Sequence, residues 1–285
     1  MAETTPIAPH LPVVLVLAGH DPTGGAGLIA DAEAVAACGG WALTIPTALT
    51  VQNCRDVQAV VPGDPDTMRA AAAALDGFEV AAIKVGLVAD LPSLDAVTDI
   101  IRRFPGVPLV VDPVLRAGGG RELSTAELVD AFRERLLPLV DILTPNRDEL
   151  SRLSRSPGED TERAVELMTL GCQAVLVTGT DSPAAGTPGD RVAHTLHTPD
   201  QSRQWSWPRL AGRYHGSGCT LAAALAARLA AGESLMSACE QAQAFTWQAL
   251  AHAWQPSPEG QSLPRRLWRL PVTSVKVPDP SGQGS

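Results

Sequence analysis

The sequence predicts an α/β fold, a doubly wound sandwich with a mostly parallel central sheet, and three observations carry that expectation. Short β-branched runs alternate with longer stretches of helical character, the runs are continuously apolar, and unusual polar residues concentrate in the loops that follow them. Continuous apolar strands are what a sheet covered by helices on both faces requires, because neither face meets water. In such sheets ligands bind at the carboxyl ends of the strands, which puts the candidate chemistry on one rim.

The elements follow in order. The run "VVLVL" at 13–17 is a buried first strand, too short to span a membrane, and leads into the glycine-rich "AGHDPTGGAG". "TALTVQN", 47–53, is a polar break after an apolar stretch. Further strands are "AAIKVG" (81–86), "PLVVD" (108–112), "VDILT" (140–144) and "AVLVT" (174–178), with helical patterns at 91–104, 124–136 and 159–170 between them. The rim loops after these strands are "VGL", "DPVLRAGGG", "TPNRDE" and "GTDSP". Residues 190–207 alternate around a Pro-Asp turn and read as an antiparallel hairpin flanking the sheet. Helices at about 218–231 and 234–254 follow, so that 1–255 forms a single domain, and the Pro, Gly and Ser content of 256–285 reads as a loosely held tail.

Composition narrows the function classes. The formal charge of −9 and the absence of basic runs beyond Arg102-Arg103 and Arg265-Arg266 argue against a nucleic-acid surface. "MAETTPIAPH" carries no positive leader region, which makes a cytoplasmic location the expectation and a membrane partner not one. Five cysteines, never spaced Cys-x-x-Cys, suggest neither a disulfide framework nor a zinc site.

Each motif has a functional and a plain reading. "GAGLIA" fits a dinucleotide fingerprint but lacks the strand immediately before it and the later acidic residue, and "GHDPTGG" has Walker spacing without the Gly-Lys-Ser/Thr ending, which excludes a P-loop ATPase. Gly24, Gly25 and Gly27 permit backbone conformations through which a ligand approaches main chain, or form a plain turn. Asp31, one turn into the following helix, either faces the pocket or complements the helix dipole. The Gln52 amide suits the edge of an aminopyrimidine, or faces water. Asp112, at the end of a buried strand, needs a partner or a cation; with Asn146 and Glu149 it suits Mg²⁺, although Asn146 and Glu149 also fit a capping box.

"YHGSGCTL" precedes an alanine-rich helix. The free amides of Ser217 to Thr220 would point at a common spot and form an anion hole for a phosphoryl group. Cys219 at that helix start would share the positive potential, which lowers a thiol's pKa, or would be a small residue packed beneath the helix. A covalent role with His215 as base lacks the nucleophile-elbow pattern.

Together "AGHDPTGGAGLIAD", "TALTVQN", "KVGL", "VVDPVL", "LTPNRDE" and "HGSGCTLAAALAA", in this order over residues 18 to 227, resemble the hydroxymethylpyrimidine/phosphomethylpyrimidine kinases of thiamine synthesis, members of the ribokinase-like superfamily. The resemblance implies a three-layer αβα sandwich, usually dimeric, and ATP- and Mg²⁺-dependent phosphorylation of 4-amino-5-hydroxymethyl-2-methylpyrimidine and then of its monophosphate. It implies that Gly19, Asp31 and Gln52 contact the pyrimidine, that Leu87 and Val114 wall the pocket, and that Asp112 and Glu149 serve metal and phosphates beside Asn146. Gly216, Ser217 and Gly218 would form the anion hole, with Cys219 where sugar kinases of the superfamily carry an aspartate base. Two departures stand out: Leu87 replaces a methionine, and Thr178 replaces a lysine expected near the ATP phosphates. Alternatives are a pyridoxal kinase of the same fold and a catalytically silent vitamin-binding protein.

Overall fold

A computed structural model describes residues 10–116, 120–179 and 188–271. The "GTDSP" loop beyond Gly179, part of "RAGGG" and the end of the expected tail lie outside them.

Nine strands form one sheet in the order β3-β2-β1-β4-β5-β6-β7-β8-β9. The parallel centre is β1 (Val13–His20), β2 (Trp41–Gln52), β4 (Val80–Val85), β5 (Leu109–Val111), β6 (Ile142–Leu143) and β7 (Ala174–Thr178). The expected hairpin is present as β8 (Arg191–His197) and β9 (Ser202–Pro208), antiparallel on β7. A second antiparallel edge, β3 (Val57–Pro62), pairs with β2 at the other side. "TALTVQN" is therefore not a break: β2 runs on through Gln52, its outer half carried by pairing with β3, a tertiary partner that overrides the polar composition.

Successive β1 residues point to opposite faces, as the pleat dictates, and each face finds its own helices. Leu15 and Leu17 pack with Ile83, Val85 and the helices α2 (Pro65–Ala74) and α3 (Leu91–Arg102). Val14, Val16 and Ala18 pack with α1 (Gly27–Ala37), α7 (Ser217–Ala230) and α8 (Leu235–Ala251). The alanine run 222–227 of α7 is wholly buried, since small side chains let it sit close between the sheet, α1 and α8. Completing the outer layer are α4 (Ala126–Ala131), continued by one π turn over Phe132–Leu136, α5 (Arg147–Leu153) and α6 (Asp160–Thr169).

Within the described part of the expected tail, residues 256–271, the chain is tied down rather than loose. Gln261 and Arg266 are buried, and the 254–266 stretch pairs with Arg213–His215 through hydrogen bonds that composition does not reveal. No helix among the described residues is long and apolar enough to cross a membrane.

Candidate active site

Strand order reverses around β1, with β2 on one side and β4 on the other, so a crevice opens at the carboxyl ends of these strands. Every expected site residue except Asp31 lines one cavity of about 200 Å³ there. Gly19 comes from the end of β1, beside a bulge where the β1/β2 register shifts. Gln52 ends β2, with neighbouring Thr50 donating from Oγ1 to His20 O at 2.8 Å, which ties the two strand ends together. Leu87 follows β4 and sits against Gly19, where an added Cβ would meet Leu87 Cδ2 at 3.0 Å. Val114 and Asp112 follow β5, Asn146 and Glu149 open α5, and Thr178 ends β7.

Asn146 caps α5 and Glu149 completes the capping box: Glu149 N–H donates to Asn146 Oδ1 and Asn146 N–H to Glu149 Oε2, both at 2.9 Å. The capping reading is thus realised, yet both residues also face the cavity. Among the described residues no three His, Cys, Asp or Glu side chains form a metal cage on their own. Asp112 and Glu149 on one cavity wall match the way Mg²⁺ is usually held, by one or two carboxylates together with substrate phosphates and water.

At the expected anion hole the geometry is set by backbone. Gly216 caps α7 in the left-handed region, φ 78°, where an added Cβ would fall 1.9 Å from Gly25 O, so only glycine fits. The turn leaves Ser217, Gly218 and Cys219 as the first amides of α7; Thr220 N–H is not among the free ones, because it donates to Gly216 O at 3.0 Å. Gly27, φ 62°, mirrors this arrangement: its added Cβ would meet Gly19 O at 2.2 Å. Glycine-rich loop and helix cap are therefore packed backbone against backbone.

Two further expectations need correction. Asp31 does not face the cavity. It is fully buried beneath the cavity floor and accepts from Lys84 Nζ at 2.7 Å, while Lys84 itself reaches the cavity wall. Burial alone would neutralise that ammonium, but the Asp31 charge outweighs it and holds Lys84 above the ordinary lysine range.

The Cys219 thiol is not activated. Withdrawal from bulk water pushes it up to about 12, against the opposing pull of Lys84. Asp112, raised to about 6 by burial in spite of Lys84, accepts a hydrogen bond from Cys219. Desolvation wins over the helix-start potential because the sulfur lies on the cavity floor.

His215 is engaged with Asp21, its Nε2 2.8 Å from Asp21 Oδ2, in keeping with the absence of a nucleophile-elbow pattern around Cys219. Burial raises Asp21, yet bonds from His215, Thr23 and Ala26 outweigh it and hold the carboxyl below its ordinary value.

A second cleft of about 450 Å³ opens between β8, β9, α7 and α8, lined by Val192, His194, Trp207, Thr246, Trp247 and Leu250 among others. It shares Thr178, Tyr214, Ser217 and Gly218 with the first cavity, so the two spaces meet at the start of α7. Sequence reasoning missed this cleft, Asp21 and Lys84. Only Lys84 left a signal, a charge inside the apolar run "AAIKVG".

Comparison with known proteins agrees with this geometry. A family model described as phosphomethylpyrimidine kinase matches residues 21–263. The hydroxymethylpyrimidine/phosphomethylpyrimidine kinase of Escherichia coli is 33% identical over 249 residues, 84% of this chain and 91% of that protein. The chloroplastic thiamine biosynthetic bifunctional enzyme of Arabidopsis thaliana is 35% identical over 262 residues, 88% of this chain but 48% of that protein, so the chain spans about half its length. Among solved structures, an ADP complex of Bacillus subtilis pyridoxal kinase superposes with a TM-score of 0.81 at 28% identity, covering 92% of this chain and 100% of that one. With a family model matched across most of its length and a full-length relative one-third identical, the chain belongs to the phosphomethylpyrimidine kinase family.

Proposed function

We propose that the protein transfers the γ-phosphoryl group of ATP to the hydroxymethyl of 4-amino-5-hydroxymethyl-2-methylpyrimidine, and a second phosphoryl group to the resulting monophosphate. The observation that carries this reading is the meeting of two cavities at the amides of Ser217 and Gly218. The smaller takes the pyrimidine between Leu87 and Val114 with Gln52 at its edge; the larger takes the nucleotide base and ribose. Transfer then occurs where the spaces join.

Phosphoryl transfer passes through a loose transition state and needs positioning and charge neutralisation more than a strong base. The Ser217–Cys219 amides and the α7 dipole receive the phosphoryl oxygens. Asp112, Glu149 and Asn146 would hold Mg²⁺, which neutralises phosphate charge when bound. Cys219, neutral and hydrogen-bonded to Asp112, orients the acceptor hydroxyl from the cavity floor. Thr178 offers the shared junction a hydroxyl and no charge, while Arg209 and Arg213 put cations in the nucleotide cleft.

The same reading takes the protein as a cytoplasmic homodimer, which the family resemblance supports and sedimentation would test. A pyridoxal kinase is the second reading, favoured by the 0.81 superposition on that enzyme. Phosphorus NMR of purified protein with Mg·ATP and each vitamin precursor decides between them. The expected products are the pyrimidine mono- and diphosphates; turnover of pyridoxal alone would transfer the assignment to the second reading, and binding without turnover to a silent vitamin-binding protein.

A further inference from the structure

The 254–266 segment crosses back over the site as a strap. His215 N–H donates to Ser262 O at 3.0 Å, Ser262 N–H to Arg213 O at 2.8 Å, and Gln261 N–H to Cys54 O at 2.8 Å, close to Gln52. At its end the Arg266 side chain, 2% exposed, passes beneath the anion hole. Nη1 donates to Gly24 O at 3.1 Å and to Glu33 Oε2 at 3.2 Å, Nη2 donates to Gly25 O, and Nε donates to Thr220 Oγ1 at 2.9 Å. Thr220 Oγ1 in turn donates to Gly216 O at 2.8 Å.

We infer that Arg266 is a positioning residue for phosphoryl transfer, its guanidinium fork fixing both walls of the anion hole: the Gly24-Gly25 peptides directly and the Gly216 peptide through Thr220. The inference deepens the kinase reading and rests on it. Gly25 O lies where a Gly216 Cβ would stand, so the glycine-rich loop and the helix cap hold one another only while both peptides keep their orientation. Carbonyl dipoles this close to an anion site would repel phosphate unless their lone pairs are taken up by a cation. A guanidinium does this with donors in a fixed planar fork, which a lysine ammonium on a flexible stem cannot copy. Glu33 offsets part of the charge at the solvent side, where it is 39% exposed.

The test compares Arg266→Lys, Thr220→Val and Thr220→Ser by steady-state kinetics with Mg·ATP and the pyrimidine, alongside thermal melts. Arg266→Lys keeps the charge and loses the fork; kcat should fall by about tenfold to a hundredfold, the cost of misplacing a reacting group by an ångström. KM for the pyrimidine should move far less, because its pocket is not touched. Thr220→Val, which breaks the relay to Gly216 without removing the arginine, should lower kcat in the same way, and Thr220→Ser should recover most of that loss.

Wild-type kcat in both Arg266→Lys and Thr220→Val overturns the inference. So does a kcat loss that only follows the folded fraction, with Thr220→Ser no better than Thr220→Val. A wild-type protein that transfers no phosphoryl group would sink the kinase reading and this inference with it, whereas an active wild type with unaffected variants overturns the inference alone.

Discussion

Lys84 Nζ lies 2.7 Å from Asp31 Oδ2, with both side chains wholly withdrawn from solvent. The pair joins β4 to α1 directly beneath the cavity, and Asp31 Oδ1 has no hydrogen-bond partner among the described atoms. Removing one member of a buried pair leaves an uncompensated charge, whereas removing both takes that charge away and leaves a packing change and the loss of the Lys84 field at Asp112. Lys84→Met should therefore destabilise the fold by about 3–5 kcal/mol in urea titration, and Lys84→Met/Asp31→Leu by clearly less. If the double variant is no more stable than the single, the ion pair is not what holds the two groups.

Cys219 separates two roles. A thiol pushed up to about 12 is neutral between about 6 and 9, so the pH–rate profile should show no limb from it there. Cys219→Ser keeps a hydrogen-bond donor toward Asp112 and should retain kcat within about tenfold, below the range expected from losing a general base. Cys219→Ala should fall further. A hundredfold loss in the serine variant would restore the base role.

How much of this was legible in the sequence follows from the range of the interactions involved. Apolar runs marked the buried parallel strands, and alternation around a Pro-Asp turn marked the hairpin 190–207, since each depends on its own residues. The glycine-capped start of α7 at Gly216–Cys219 was legible because glycines and a helix start are local. β3 was not, nor that β2 extends through Gln52, because their stability comes from pairing with each other. The sign of the Cys219 shift was misread, as spacing reveals the helix start and conceals the burial that outweighs it. Asp31–Lys84, Asp21–His215 and Arg266–Gly25 join residues far apart in the chain, and no spacing rule reaches across such distances.

Two pH windows should appear in stability. His194, lowered to about 4 by burial with a contribution from Arg147, stays neutral when folded, while the unfolded chain takes up its proton below about 6.5. His194 should thus take stability away as pH drops from 6.5 to 4, against an opposing gain from Asp112, whose raised carboxyl takes up its proton from about 6 downward in the folded state, and His194→Phe should lose less stability than the wild type across that window. Burial raises Glu166, but bonds from Ser154, Arg133 and the Ser156 and Arg155 amides outweigh it and bring the carboxyl to about 2. Its contribution is complete above 4.5 and lost as pH falls toward 2, so Glu166→Gln should flatten only the lower window. Denaturant midpoints measured from pH 7 to 2 read both, and a slope unchanged in either variant would reassign that window to other groups.

Thr178 gives the sharpest test of the nucleotide site. Its backbone is fixed by donation to Pro145 O at 2.8 Å, and its side chain faces the junction of the two cavities. A lysine there would extend an ammonium toward the phosphates without disturbing the strand, since Thr178 ends β7. A charge-assisted hydrogen bond contributes about 1.5–3 kcal/mol, so Thr178→Lys should lower KM for ATP by about tenfold or more while leaving KM for the pyrimidine nearly unchanged. The two Michaelis constants, measured separately, decide it. If KM for the pyrimidine fell instead, Thr178 would belong to the acceptor side and the assignment of the two cavities would be reversed; if neither moved, phosphates would not reach the end of β7.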